Sequence, residues 1–237
     1  MDTLSETIWQ RGSTVEIMRE ARGRFRANSK KDLPGAYVSL ASVHYSLVKR
    51  YATWWKSPFA LWHLWRAAWN IDVAFEVGGR NGDMTKFSPD QVDVISTILA
   101  KVPSWLGGDR VCATSLLNSA LYLNHPWGSR EMKPHTRALM LITLGEIEWQ
   151  VGSKEQARKH YDEARYLAPV IEVEVSADRE RQLVRVLSAV GFFYYDHGGQ
   201  QYRYQAKTLL EQALDLARSV SKDQEEKIIA EWRKRGF

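Results

Sequence analysis

The chain has 237 residues, enough for one large domain or two small ones, and 44% of them are hydrophobic, so a sizeable core is available. The net charge of +5 is modest, and the single cysteine, Cys112, excludes an internal disulfide bond. The sequence shows neither a secretory leader pattern nor an apolar run long enough to span a membrane, so we expect a soluble, cytoplasmic protein.

The N-terminal residues predict one helix followed by a basic linker. Apolar residues recur at helical spacing over 3–25, whereas residues 27–35 contain several turn formers and no hydrophobic period. We therefore expect residues 1–35 to form an N-terminal helix and linker, with residues 36–237 forming the rest of the fold. The basic residues of this stretch are candidate phosphate ligands: Arg19, Arg22, Arg24, Arg26, Lys30 and Lys31. The alternative, which the sequence favours, is a solvated helix end.

The next part of the sequence predicts helices that are separated by proline and glycine. Ser57 and Pro58 are typical of a helix N-cap and first residue. Ser88, Pro89 and Gln91 have the spacing of a capping box with proline at the first helical position. Helical periodicity between such signals predicts four helices: 36–55, 58–78, 88–101 and 109–124.

Tryptophan is concentrated in one segment, since five of the ten tryptophans lie between Trp54 and Trp69. Trp62, Trp65 and Trp69 recur at steps of three and four, so they share one helix face. We expect that face to pack in the core or against a neighbouring hairpin. The alternative is an exposed patch that stacks on bases or contacts a partner.

Residues 138–169 show the clearest pattern in the chain, which is two amphipathic periods that meet at Gly152 and Ser153. Gly145 and Ala157 fall where two helices would have to touch closely. Pro169 is expected to end the second helix. The pattern predicts a helical hairpin.

These residues give the hairpin a resemblance to the tetratricopeptide repeat, a helical hairpin with a period of about 34 residues. The matching positions are Leu144, Gly145, Ala157, Tyr161, Ala164 and Pro169. The resemblance is clearest over 138–171 and 184–220, and it is weaker over 41–74, where Val48 replaces the usual glycine, and over 94–127. It implies an all-α, right-handed α-solenoid of antiparallel hairpins. We expect a capping helix at each end, the last one over residues 221–235.

The family resemblance also implies a surface for a protein partner, in the concave groove lined by the first helix of each hairpin. The groove positions that we identify as candidate partner-binding residues are Glu146, Trp149, Gln150, Arg185, Ser188, Phe192 and Tyr195. The three aromatic residues among them are the hot-spot candidates. The alternative is that the helix over 221–235 covers them. The family's lysine and asparagine clamp for a terminal carboxylate is missing.

No motif in the sequence indicates catalysis, a cofactor or a metal. Nucleophile-elbow, phosphate-loop, dinucleotide-binding and zinc-protease signatures are all absent, and the six histidines are scattered. Tyr194 to His197 has the ingredients of an acid–base site, but it fits a helix end better. We expect a non-catalytic protein-interaction or scaffold module. The alternative is a nucleic-acid-associated helical repeat protein that uses Arg19–Lys31.

Overall fold

The computed structural model describes residues 13–50, 58–78, 87–122, 132–173 and 179–236. Within these ranges the regular structure is helical and contains no strand, which confirms the predicted all-α fold. The α-helices are α1 (Thr14–Asn28), α2 (Leu33–Arg50), α3 (Pro58–Gly78), α4 (Pro89–Lys101), α5 (Arg110–Tyr122), α6 (Pro134–Val151), α7 (Lys154–Glu172), α8 (Arg179–His197), α9 (Arg203–Val220) and α10 (Lys222–Lys234).

The chain divides into two compact units, Met1–Arg130 and Glu131–Phe237, which we call the N-terminal unit and the C-terminal unit. The N-terminal unit contains α1 to α5, and the C-terminal unit contains α6 to α10. In both units the most extensive contacts join helices that are neighbours in sequence: α2 with α3, α4 with α5, α6 with α7, and α8 with α9. This pairing confirms the prediction of a fold made from adjacent helix pairs.

The N-terminal unit begins with a capped helix. The Ser13 hydroxyl accepts a hydrogen bond from the Glu16 backbone N–H, and the Glu16 carboxylate accepts one from the Ser13 N–H. Helix α1 continues to Asn28 and α2 starts at Leu33, so helix occupies both ends of the stretch where a linker over 27–35 was expected. The first turn of α2 accommodates a proline because the N–H groups there have no helix partner.

Small residues bring α2 and α3 together. Ala60, Ala67 and Ala74 of α3 are fully buried, as is Ile71 on the same side of the helix. Helix α3 begins at Pro58 and ends at Gly78, as predicted. A cluster of Ile17, Met18, Leu40, Val43 and Leu47 then packs α1 onto α2. Burial of these side chains holds the first three helices as one body.

The second helix pair of the N-terminal unit starts at the predicted capping box. The Ser88 hydroxyl accepts from the Gln91 N–H, and the Gln91 side-chain oxygen accepts from the Ser88 N–H at 2.7 Å. Helix α4 ends at Lys101, also as predicted. A short 3₁₀ turn, Ser104–Leu106, leads to α5. Gly108 allows this turn, because a Cβ there would lie 1.8 Å from the Val102 carbonyl oxygen.

The first hairpin of the C-terminal unit packs closely at the small residues, as their spacing predicted. A Cβ on Gly145 would lie 2.8 Å from Cε2 of Tyr161 and 3.3 Å from the Ala157 carbonyl oxygen, and Ala157 and Ala164 are fully buried. Gly152 ends α6 with φ of 94°, a conformation that favours glycine. The small residues therefore mark the line along which α6 and α7 touch.

Helix α7 does not end at Pro169, contrary to the prediction, but continues to Glu172. Pro169 is exposed, and a solvent-facing position tolerates the loss of one helix hydrogen bond. Ile171, two residues later, is fully buried, so the last turn of the helix is held by packing.

The second hairpin of the C-terminal unit repeats the geometry of the first. A Cβ on Gly191 would lie 2.8 Å from Cγ of Leu210 and 3.3 Å from the Ala206 carbonyl oxygen. Ala206 and Ala213 are fully buried. The same close contact thus occurs in both helix pairs, against Tyr161 in the first and Leu210 in the second. The predicted last helix is also present as α10, with Ile228 buried.

Candidate binding surfaces

The aromatic residues of the predicted groove are used inside the C-terminal unit. Helices α6 and α8, the first helices of the two hairpins, contact each other. The ring of Trp149 stacks on His197 with centroids 4.1 Å apart, and it meets Phe193 edge to face at 5.3 Å. The Lys154 ammonium lies 5.5 Å from the same tryptophan ring. Trp149 is therefore part of the contact between α6 and α8.

The residues after α10 contact the other two aromatic groove positions. The guanidinium carbon of Arg235 lies 4.5 Å from the Phe192 ring centroid, and the Tyr195 hydroxyl donates to the Arg235 carbonyl oxygen at 3.1 Å. Arg235 also forms a two-pronged pair with Asp196, with both N···O distances 2.8 Å. These are the contacts expected of the alternative in which the last helix covers the groove aromatics.

The polar groove positions have a different environment. Gln150 and Arg185 are exposed, and Arg185 donates to Gln182 at 2.9 Å. Ser188 is half-buried, and its hydroxyl donates to the Arg185 carbonyl oxygen at 3.2 Å. Glu146 is also half-buried. The predicted groove therefore offers polar side chains to solvent, while its aromatic side chains are occupied by contacts within the unit.

The side chains from Tyr194 to His197 have separate partners. Tyr194 is buried, its hydroxyl donates to Asp162, and burial is the main cause of the raised pKa of that hydroxyl. Asp196 pairs with Arg235, and His197 stacks on Trp149. Burial also lowers the pKa of His197, against the opposing effect of Asp196. Tyr194, Asp196 and His197 therefore contact three different residues.

The N-terminal unit contains an open cavity of about 940 Å³ between α1 and the first turns of α3. The sequence alone did not connect the residues of one wall with those of the other. The cavity is lined by Thr14, Val15, Met18, Arg19, Arg22, Gly23, Arg26, Pro58, Phe59, Trp62 and His63. These residues include three arginines and no carboxylate, so the lining carries positive charge.

The structure divides the six basic residues that were candidate phosphate ligands. Arg19, Arg22 and Arg26 line the cavity, and they form no ion pair with any residue in the described ranges. Arg24 instead pairs with Glu20 at 2.9 Å. Lys30 and Lys31 follow the end of α1 and do not line the cavity. Three of the six candidate phosphate ligands therefore lie together on one surface.

The opposite wall of the cavity presents aromatic side chains to solvent. Phe59 is 76% exposed and Trp62 is 45% exposed. The expectation that Trp62, Trp65 and Trp69 form a core face is wrong, since Trp65 and Trp69 are also exposed. The core face of α3 instead contains buried alanines, and the larger rings lie on the outer side.

An arginine accompanies the outer tryptophans along α3. The guanidinium carbon of Arg66 lies 4.4 Å from the Trp69 ring centroid and 5.7 Å from that of Trp65. Such contacts of a cation over an aromatic face contribute about 0.5–1 kcal/mol at exposed positions. The outer face of α3 therefore combines aromatic and cationic groups beyond the cavity itself.

A buried histidine pair supports the floor of the cavity. Nδ1 of His44 and Nδ1 of His63 are 2.8 Å apart, and both rings meet Trp62 edge to face. Burial, the neighbouring His63 and the positive charges of Arg66 and Arg22 lower the pKa of His44 to about 3. Burial also lowers the pKa of His63. The two rings are therefore neutral at pH 7, and one donates its proton to the other.

The described part of the chain contains no group of three or more metal-ligating side chains placed to hold an ion. Over the same ranges no helix is both long and apolar enough to cross a bilayer. Cys112 is half-buried, and burial together with the Asp109 carboxylate raises the pKa of its thiol. A raised pKa disfavours the thiolate, the form of cysteine that acts as a nucleophile.

The cavity was missed by the sequence analysis because its walls come from residues about forty positions apart in the chain. The signals themselves were visible separately, as the arginines near residue 22 and the aromatic residues near residue 60. Only the packing of α1 and α3 around α2 brings them together. Comparison with known proteins gives no further assignment, since the chain matches no protein-family model, no curated protein and no solved structure.

Proposed function

We propose that this protein is a non-catalytic interaction module, a right-handed array of helical hairpins that binds a segment of a protein partner. The adjacent helix pairs and the equivalent close contacts at Gly145 and Gly191 support the repeat architecture. A rigid array of this kind presents surface residues at fixed spacing, which suits recognition of an extended or helical segment.

The observation that carries the proposal is the open cavity of the N-terminal unit. Phe59 and Trp62 expose apolar surface to water there, beside three arginines. Tryptophan and arginine are the side chains most enriched at the energetic centres of protein interfaces. Covering Phe59 and Trp62 with a partner would remove that apolar surface from water, which is favourable by roughly 25 cal/mol for each Å².

The test is site-specific photo-crosslinking in cells. A photoreactive phenylalanine derivative replaces Phe59, and the same group replaces Tyr204, which is 83% exposed in the C-terminal unit, as a matched control. We expect discrete protein adducts from position 59 that position 204 does not give. Adducts that disappear after nuclease treatment, or the absence of any adduct specific to position 59, would count against a protein partner at the cavity.

A nucleic-acid partner is the second candidate, and the arginine wall of the cavity is the observation that favours it. Three arginines that neutralise three phosphates of a single strand would give a salt dependence with a slope of about −2 in log K against log[salt]. Affinity purification of the intact protein with and without nuclease separates the two candidates. Partners lost on nuclease treatment, together with a slope of that size, would favour nucleic acid.

A further inference from the structure

We infer that the cavity of the N-terminal unit recognises an acidic amphipathic helix in its protein partner. The inference rests on the proposed function, and it adds the chemistry and shape of the segment that is bound. It is carried by three features of the cavity, namely the spacing of its arginines, the apolar character of its floor and the position of the remaining basic residues.

The arginines form a straight row on one side of the cavity. Arg19, Arg22 and Arg26 are separated by three and four residues, so they share one face of α1 and extend over about 10 Å of its length. Carboxylates with the same spacing on a second helix would lie opposite all three. Among the residues that the structure describes, no carboxylate lines the cavity, so we expect the complementary charge on the ligand.

The remaining lining residues suit apolar side chains. Val15 is 66% exposed and Phe59 is 76% exposed, and together with Met18 and Trp62 they surround the centre of the cavity. A groove between two helices with an apolar floor is the shape into which an amphipathic helix inserts one face. The ligand therefore needs large apolar residues beside its row of carboxylates.

The same features disfavour a nucleic-acid strand at this site. Proteins that bind single-stranded nucleic acid place basic side chains along its phosphate backbone and stack its bases on aromatic rings. Here Arg24 is paired with Glu20, and Lys30 and Lys31 are not part of the cavity, so within the described residues the basic row contains three arginines. Trp62 also has two histidine rings packed against it edge to face. Aliphatic side chains such as Val15 and Met18 offer no stacking surface.

The inference can be tested with one designed peptide and two matched peptides. The probe is a helical peptide with glutamates at the spacing of the three arginines and leucine and phenylalanine on the adjoining face. One matched peptide has glutamine for every glutamate, and the other has alanine for every large apolar residue. Binding of each labelled peptide to the intact protein is followed by fluorescence anisotropy.

We expect saturable binding of the probe and weaker binding of both matched peptides. Phe59→Ala should weaken probe binding about fivefold or more, because an exposed aromatic anchor is lost from an otherwise intact fold. Arg22→Gln should weaken it about two- to fivefold through the loss of one exposed ion pair. Arg24→Gln is the control on the same helix, and it should leave probe affinity unchanged because Arg24 lies outside the cavity.

The other outcomes overturn the inference in distinguishable ways. Equal binding of the glutamine peptide would show that the segment need not be acidic, and the proposed protein-binding function would stand. Tighter binding of a single-stranded oligothymidine, lost in Phe59→Ala, would overturn both. Tighter binding of phosphatidylserine vesicles would identify a lipid surface instead. If neither acidic nor neutral peptide binds, the inference fails, and crosslinking from position 59 then decides the proposed function separately.

Discussion

Two prominent aromatic pairs, one in each unit of this protein, have opposite environments. In the C-terminal unit, Tyr161 and Phe193 stack with centroids 3.7 Å apart and are both buried. In the N-terminal unit, Phe59 and Trp62 face solvent. Both units nevertheless bury alanines where paired helices touch, such as Ala60. Small residues thus identify the contact face in both units, whereas a large aromatic residue on a helix does not by itself do so.

The difference follows from how closely the helices approach. In α3 most positions are apolar, so hydrophobic periodicity alone does not separate an inner face from an outer one. Close packing of backbones requires side chains of small volume, and Ala67 and Ala74 supply them on the side of α2. The tryptophans then occupy the opposite side, where room is available. In an apolar helix of this kind, side-chain size indicates the buried face better than hydrophobicity does.

The largest predicted effect comes from a substitution at the close helix contact of the C-terminal unit. Gly145→Val should lower the free energy of unfolding by about 3 kcal/mol, at the upper end of the range for overpacking. The added carbon would meet a Tyr161 ring that is itself stacked on Phe193, so the ring has little freedom to move. Urea unfolding measures the change.

Gly23→Ala is the control for this substitution. No atom lies within 4 Å of a Cβ at position 23, so alanine should stabilise α1 by about 0.5–1 kcal/mol through its helix propensity. If Gly145→Val leaves the urea midpoint of the protein unchanged, while Gly23→Ala raises that midpoint, then Gly145 is not at a close helix contact. The assignment of small residues as contact markers would then be wrong for the C-terminal unit.

The second prediction is that acid destabilises the N-terminal unit first. Because the pKa of His44 is about 3 in the folded protein and near 6.5 when unfolded, the unfolded chain binds more protons between these values. Stability contributed by the neutral ring is therefore present above pH 6.5 and is lost as the pH falls. The loss from His44 should be about 2 kcal/mol between pH 7 and pH 5.

Hydrogen exchange at several pH values resolves this loss by helix. Protection should fall in α2 and α3, which carry His44 and His63, before it falls in α6 and α7. The double substitution His44→Leu with His63→Leu replaces the bonded pair with apolar side chains and should flatten the pH dependence of α2 and α3. An unchanged pH dependence in that variant would show that other groups control the acid response.

Much of the fold was predictable because local chemistry determines it. The Ser88 and Gln91 capping box, the Gly152 helix end and the close contacts of Gly145 and Gly191 all depend on a residue and its near neighbours in one hairpin. Pro169 was mistaken for a helix end because its exposure, and the burial of the following turn, depend on tertiary packing. The linker predicted over 27–35 was also too long, since helix occupies both of its ends. Local signals therefore placed most helix ends, and they failed where packing extends a helix past a turn former.

The candidate site was harder to predict for the same reason. Spacing showed that Trp62 shares a face with other tryptophans, but not that the face is exposed. The sequence showed several cations near Arg22. It did not show that Arg24 pairs with Glu20 and lies outside the cavity. Spacing also placed Trp149 on the predicted groove, but did not show that its ring stacks on His197 of α8. In each case the deciding neighbour is distant in the chain.

The smallest predicted effect compares two tryptophans, one from each unit. Trp149→Ala should lower the free energy of unfolding by about 1.5 kcal/mol, because the ring loses its stack on His197 and its edge contact with Phe193. Trp65→Ala should lower it by less, about 0.5 kcal/mol, since Trp65 is 43% exposed and the Arg66 guanidinium keeps its closer contact with Trp69. Thermal unfolding of both variants in the same buffer makes the comparison. A Trp65 variant that is destabilised as much as the Trp149 variant would mean that the outer face of α3 is covered in solution, and the open cavity beside it would then lose its role as a binding site for a partner.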